Sequence, residues 1–184
     1  KKANLLTNTM SKTIDDFRNF FKPNKEKKEF SLDEIVTKSL TMIESTFKHA
    51  NIDLTYTFKK SINIFGFQNE FSQVILNILN NAKDAIIENK IENGKVLVNI
   101  KMDDDFGYVT IRDNAGGIPN KIIEKVFDPY FTTKEEGKGT GIGLYMSKTI
   151  IEDNMNGKLE VINIDDGAQF TIRIPLLKVN NEEK

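Results

Sequence analysis

The chain has 184 residues, enough for one well-buried domain and a short extra element. Its 26 basic and 27 acidic side chains leave a net charge of −1, which excludes a global electrostatic pull toward nucleic acid or an anionic membrane. With no cysteine it has no disulfides, thiolate metal sites or cysteine nucleophiles, and no apolar run approaches the ~20 residues that span a bilayer.

In chain order, the start "KKANLLTNTM" reads as cut from a longer protein. Residues 3–21 carry Leu6, Met10, Ile14, Phe17 and Phe21 near every fourth position. With Thr13 and Phe20 as alternates, this 4-3-4-3 spacing resembles a helix-pairing seam. Pro23 and the charged "NKEKKE" end that helix and form a solvated linker over 23–29. A domain is expected over 30–178, followed by a polar tail at 179–184.

"SLDE" sets Ser31 three residues before Glu34, a capping-box pattern. It opens a helix carrying Ile35, Val36, Leu40, Ile43 and Phe47 to about Lys48. "IDLTYTF" alternates as a strand and "INIFGF" follows as a short one. A long helix is predicted from about Asn69 to Glu88. "KVLVNIKM" and "GYVTIRDN" pair around "DDDFG". A helix is expected from roughly Thr140 to Met155, and "KLEVINI" and "AQFTIRI" close the chain as a hairpin across "DDG". Helices and mostly antiparallel strands mix without regular alternation, which predicts an α+β two-layer sandwich rather than a doubly wound sheet.

Three stretches carry chemistry. On the long helix, Glu70, Gln73, Asn77, Asn81, Asp84 and Glu88 fall on one stripe roughly 80° wide, beside an apolar face of Val74, Ile75, Ile78, Leu79, Ala82 and Ile86. Asparagine is a mediocre helix former, and its carbonyl oxygen is a hard ligand of the kind Mg²⁺ accepts alongside phosphates. Asn77 and Asn81 are therefore either such ligands or bridges to neighbouring backbone. In "IRDNAGGIP" a strand ends in Asp113 before Gly116 and Gly117. That carboxylate either accepts from a ligand amine or closes a turn with an Asx bond. In "DPYFTTKEEGKGTGIGL" four glycines, Gly137, Gly139, Gly141 and Gly143, run into helical sequence. Thr140, Gly141, Ile142 and Gly143 form a loop-to-helix junction whose amides suit an anion, with Lys134 and Lys138 adding positive charge. The segment reads as a mobile lid with an aromatic latch or as a plain flexible loop. No "GxGxxG" opens a strand–helix–strand unit, so the dinucleotide fold is excluded.

Together these stretches resemble the ATP-binding catalytic domain of sensor histidine kinases, in the wider group shared with gyrase, mismatch-repair and chaperone ATPases. "NILNNAKDA" is similar to the N box, "DNAGGIP" to the first glycine box, "VFDPYFTTK" to the F box and "GTGIGL" to the second glycine box, in family order. The closing "GAQFTIRIP" is similar to the last strands. The resemblance covers about Phe30 to Leu176 and implies a Bergerat-type ATP-binding fold. Residues 1–22 resemble the second helix of the dimerisation and phosphotransfer hairpin.

The resemblance implies ATP and Mg²⁺ as cofactors. It implies that Asn81 coordinates Mg²⁺ with Asn77 beside it, and that Asp113 accepts from the adenine amino group. Gly117 would let the backbone pass the base, Lys134 would sit near the terminal phosphate, and Phe127 and Phe131 would anchor the lid. Gly139, Gly141 and Gly143 would supply the lid turn and phosphate-facing amides. Asp84, Ile118, Thr132, Thr133, Thr140, Ile142 and Leu144 fall within the same motifs and are expected in the nucleotide site. The implied partners are the chain's own hairpin, a response regulator receiver domain and a second copy in a full-length homodimer. The implied compartment is the bacterial cytoplasm.

Four positions depart from or qualify the pattern. Ala115 stands where a glycine is common, tolerable if its φ is negative. Ala168 stands where many members carry a threonine. Asn77 replaces the general-base glutamate of the chaperone and mismatch-repair ATPases and of the anti-sigma serine kinases, the rival enzymatic readings. A degenerate ATP-sensing module is a further alternative, opposed by the intact motifs. The sole histidine, His49 in "STFKHANIDL", lacks the acidic neighbour and arginine of the family's H box and reads as a helix-end residue.

Overall fold

The computed structural model describes residues 26–58, 61–135 and 139–177. The expected N-terminal pairing helix, the start of the linker, the polar tail, and Gly137 and Lys138 of the expected lid lie outside the described residues.

In chain order the elements are β1 (Lys28–Ser31), α1 (Leu32–His49), β2 (Asp53–Phe58), β3 (Asn63–Gly66), α2 (Gln68–Glu88), β4 (Lys95–Met102) and β5 (Phe106–Asp113). A 3₁₀ turn (Ile123–Lys125), α3 (Gly143–Thr149), β6 (Lys158–Ile164) and β7 (Gly167–Pro175) follow. Five strands form one sheet in the order β2-β4-β5-β7-β6, and β1 pairs with β3 separately. β2 runs parallel to β4 and the other neighbours are antiparallel. An Ile64–Leu176 bridge joins the small pair to the end of the large sheet.

Alternation decides which sheet face is covered. Val96, Val98 and Ile100 on β4, Val109 and Ile111 on β5, and Phe170, Ile172 and Ile174 on β7 are buried and share one core with α1 and α2. The opposite face leaves Leu97 and Ile162 exposed. This is the expected α+β two-layer arrangement with a mixed, mostly antiparallel sheet.

Glu34 N–H donates to Ser31 Oγ at 3.3 Å, so the capping residue at the start of α1 acts as read. β1 was not foreseen. Four residues of "KEFS" are too short to show a period of two, and the strand exists because β3 pairs with it and Phe30 packs on Phe71. The last helix is shorter than expected. Gly141 has φ +66°, which keeps the chain out of helix until Ile142, and beyond Thr149 the coil widens into a π-type turn over Ile150–Asn154. In that turn Asn154 Nδ2 donates to Glu70 Oε2 at 3.3 Å. Glu70, expected on the polar stripe, is thereby buried at the start of α2.

Candidate functional site

Along β5, Val109, Ile111 and Asp113 point successively into the core, so a carboxylate occupies a place where alternation calls for a hydrophobe. Asp113 is 5% exposed. Its Oδ1 accepts from the Ala115 N–H at 2.9 Å and from the Ala168 N–H at 3.2 Å. The first bond is the Asx turn, and the second arrives from β7. Oδ2 makes no hydrogen bond with the described residues. Burial pushes the carboxyl above the usual carboxylate range, partly offset by the two amides and reinforced by the nearby Asp166 charge. One oxygen is thus fixed and the other is left as an acceptor.

The start of β7 lies directly against this carboxylate. A Cβ on Gly167 would fall 1.9 Å from the Asp113 carbonyl oxygen and 2.8 Å from Oδ1. Gly167→Ala is expected to lower stability by roughly 2 kcal/mol or more, because the obstruction is backbone that has no room to shift. Chemical denaturation reads this directly, and an unchanged midpoint would refute the close approach. The sequence offered Gly167 as the end of the "DDG" turn and the start of "GAQFTIRIP", with no sign of its contact with Asp113.

The loop after β5 holds its form through polar contacts from three elements. Asn89, just past α2, donates to the Ala115 carbonyl at 2.7 Å. Gly116 N–H donates to the Asp166 carbonyl at 2.9 Å. Asn163 of β6 bonds both backbone groups of Ile118. Ala115 is buried and is not among the positive-φ residues, so alanine fits where glycine is common. Asn89, Asn163 and Asp166 were absent from the sequence reading. They lie outside the motifs, and only the fold brings them to the loop.

On α2, Asn77, Asn81 and Asp84 are all half-buried. Asn77 Nδ2 donates to the Gly143 carbonyl and to Ser147 Oγ, both at 3.3 Å, and Ser147 Oγ donates to the same carbonyl at 2.9 Å. Asn77 therefore does bridge backbone, joining α2 to the first turn of α3. Asn81 makes no side-chain hydrogen bond with the described residues. Asp84, one turn on, pairs through Oδ2 with Lys134 Nζ at 2.6 Å and more distantly with Lys83.

Lys134 is accordingly docked on α2. Its own N–H donates to Thr132 Oγ1 at 3.1 Å, and a Cβ on Gly139 would crowd both Thr132 Oγ1 and the lysine stem. Upstream, Phe127 packs against the core, edge-on to Phe170 at 6.4 Å, with Lys148 Nζ 4.8 Å above its ring. Phe131 is half-buried, and Thr133 and Thr140 are exposed. Gly141 passes so close to the Tyr130 carbonyl that a Cβ would lie 2.5 Å from that oxygen. At φ +66° it is a position for glycine on both counts. Thr140 Oγ1 accepts from the Ile142 N–H at 3.4 Å, Ile142 is buried, and Leu144 packs on the core. His49 ends α1, exposed, with Nδ1 2.6 Å from the Ser45 carbonyl.

These residues form two linked groups. Asp113, Gly117 and Ile118 gather at the ends of β5, β6 and β7. Asn77 meets Gly143 between α2 and α3, and about two turns further along α2 Asp84 holds Lys134. Phe127, packed on Phe170 of β7 within the segment that leads to Lys134, connects them. Among the described residues no group of three or more His, Cys, Asp or Glu is placed to hold a metal, and no helix is long and apolar enough to cross a membrane.

The profile of the histidine kinase-, DNA gyrase B- and HSP90-like ATPases matches residues 66–178, which contain both groups. The chain belongs to that family. ATP is the ligand that membership of this ATPase family implies. The two-component sensor PprA of Pseudomonas aeruginosa is 40% identical over 60% of the chain. The catalytic domain of histidine kinase ThkA superposes with a TM-score of 0.72 at 32% identity, covering 82% of this chain and 98% of that one. Within the family, this ATPase domain is thus of the histidine kinase catalytic kind. A structure of ThkA in complex with the response regulator protein TrrA aligns with a TM-score of 0.76 at 26% identity, over 95% of this chain and 49% of that one. The chain spans 12% of PprA's length.

Proposed function

We propose that this chain is the ATP-binding catalytic part of a two-component sensor histidine kinase. It binds Mg²⁺–ATP and passes the γ-phosphoryl group to a histidine on a dimerisation hairpin, from which it goes on to a response regulator aspartate. The observation that carries the nucleotide reading is Asp113, a buried carboxylate with Oδ1 fixed by two amides and Oδ2 left to accept from an exocyclic amine. The ThkA–TrrA complex supports the response regulator as partner. A homodimer through the hairpin and a cytoplasmic setting belong to the same reading.

The donor set fits Mg²⁺. The Nδ2 group of Asn77 is engaged with Gly143 and Ser147, which leaves Oδ1 unengaged, and Asn81 has both amide atoms free of the described residues. Carbonyl oxygens supplemented by phosphate oxygens and water suit this cation. When bound, the cation neutralises charge on the phosphates. The chain's own residues position the nucleotide: Asp113 at the base, Asn77 and Asn81 at the phosphate end, and Lys134 as a cation beside them. In the transfer, the bond from the γ-phosphorus to the bridging oxygen breaks, a P–N bond to the histidine forms, and ADP leaves.

Lys134 is expected to reach the terminal phosphate from its place on Asp84, one turn beyond Asn81. Asn77 also separates this reading from ATP hydrolysis. An amide tied to Gly143 and Ser147 takes no proton from water, so no general base stands at this position.

Asn81→Ala is expected to weaken Mg²⁺–ATP binding about tenfold or more while changing metal-free ATP binding little. Titration calorimetry with and without Mg²⁺ makes the comparison. An equal loss in both conditions removes Asn81 from the metal site.

A further inference from the structure

Asn163 lies near the end of β6, exposed, outside every motif that marks the nucleotide site. Its side chain takes the place of a neighbouring strand's backbone. Oδ1 accepts from the Ile118 N–H at 2.7 Å and Nδ2 donates to the Ile118 carbonyl, also at 2.7 Å. Nδ2 reaches Asn120 Oδ1 as well, at 3.4 Å. A primary amide carries a donor and an acceptor side by side, so both bonds go to one residue and fix its position and its orientation. A Cβ on Gly117 would lie 2.9 Å from Asn163 Oδ1, which puts the amide in direct contact with the backbone there.

The hairpin explains the coupling. Asn163 pairs in register with Ala168, whose N–H holds Asp113 Oδ1. Three residues beyond Asn163, the Asp166 carbonyl takes the Gly116 N–H, and its carboxylate pairs with Arg112 at 3.1 Å. One hairpin thus grips the loop at Gly116 and at Ile118 while orienting the carboxylate beside it. We infer that Asn163 is a positioning residue for base recognition: its amide holds Gly117 and Ile118 at the spacing from Asp113 that the adenine ring occupies. The inference rests on the adenine reading of Asp113 proposed above.

Two variants test it. Asn163→Ala removes both bonds to Ile118. Asn163→Asp keeps an acceptor for the N–H but turns an oxygen toward the Ile118 carbonyl. Titration calorimetry with Mg²⁺–ATP separates affinity from stoichiometry. Kd is expected to rise about tenfold in the alanine variant and at least as much in the aspartate variant, with stoichiometry unchanged. Melting of the free variants well above the titration temperature excludes a Kd raised by reversible unfolding, and a variant that is partly and irreversibly misfolded shows reduced stoichiometry at the wild-type Kd. That result, or a Kd within about twofold of wild type in either folded variant, overturns the inference. If one variant does not fold, the other decides. Asp113→Ala is the control: if it too leaves Kd unchanged, the adenine reading itself has failed, whereas a large loss there beside none at Asn163 condemns only the role of Asn163.

Discussion

Asp113→Asn is expected to lose most of the rise in melting temperature that Mg²⁺–ATP produces, while the unliganded protein melts where wild type does or slightly higher. The two amides that bind Oδ1 decide the geometry. An asparagine keeps its carbonyl oxygen on the Ala115 and Ala168 N–H groups, which places its NH₂ where Oδ2 was. A donor then faces the adenine amino group. An unmatched buried polar pair of this kind costs about 1–3 kcal/mol, a loss of roughly 5- to 150-fold in affinity. Ligand stabilisation falls with it, since it depends on ligand concentration relative to Kd.

The unliganded fold should not suffer, because burial holds the Asp113 carboxyl above its usual range. A carboxyl whose folded pKa is raised binds its proton more tightly in the folded state. Its ionisation therefore costs stability, and that cost builds as pH climbs from the ordinary carboxylate range through the raised value. The neutral amide avoids it. Any advantage of the variant should fade as pH drops below the raised value toward the ordinary carboxylate range, where the wild-type side chain is neutral as the amide is. The same acceptor predicts base choice in the wild type. GTP, which presents a carbonyl where ATP has an amine, should raise the melting temperature much less, and equal shifts from the two nucleotides would sink the assignment.

The isolated chain, incubated with radiolabelled ATP, is expected to bind nucleotide and remain unlabelled. Phosphoryl transfer needs a positioned nucleophile as well as bound Mg²⁺–ATP, because the protein's contribution is mostly positioning and charge stabilisation. The sole histidine, His49, ends α1 with its ring turned onto the Ser45 carbonyl. Hydrolysis should be slow as well, since Asn77 supplies no base. Given a separate helical hairpin that carries the phosphoacceptor histidine, the chain should label that histidine in trans, yielding an acid-labile phosphate. The rate should be low, because a tether that raises effective concentration is missing from such a mixture. Robust label on the chain alone that disappears in His49→Ala would overturn the proposed division of roles. Fast hydrolysis without an acceptor would move the chain toward the ATPase branch.

Much of this was legible from residues alone. The period of "QVILNILNNAKDAII" set α2 to within a residue of its observed start, because an apolar face that must be buried leaves few alternatives. The two hairpins were equally clear from alternation around short polar turns. Asp113 stood out as a carboxylate ending a strand before glycines, and Asn77 and Asn81 as asparagines where a surface helix carries lysine or glutamate. β1 escaped because four residues show no period, and the bounds of α3 because the left-handed backbone at Gly141 delays its start and the wide turn after Thr149 shortens its end.

The sequence by itself determined the kinds of groups available, their order and the faces they occupy, since these follow from side-chain chemistry and from periods of 2 and 3.6 residues. Whether Asp113 closes a turn or meets a ligand was not decided there. Tertiary structure closed the turn through one oxygen, brought the Ala168 N–H across from β7 onto that same oxygen, and left the other free of the described residues, where the proposed ligand amine would meet it. It also tied Asn77 to Gly143 and Lys134 to Asp84, 66 and 50 residues apart along the chain. Such pairings depend on how strands and helices stack over a common core, and no window of neighbouring residues contains that information.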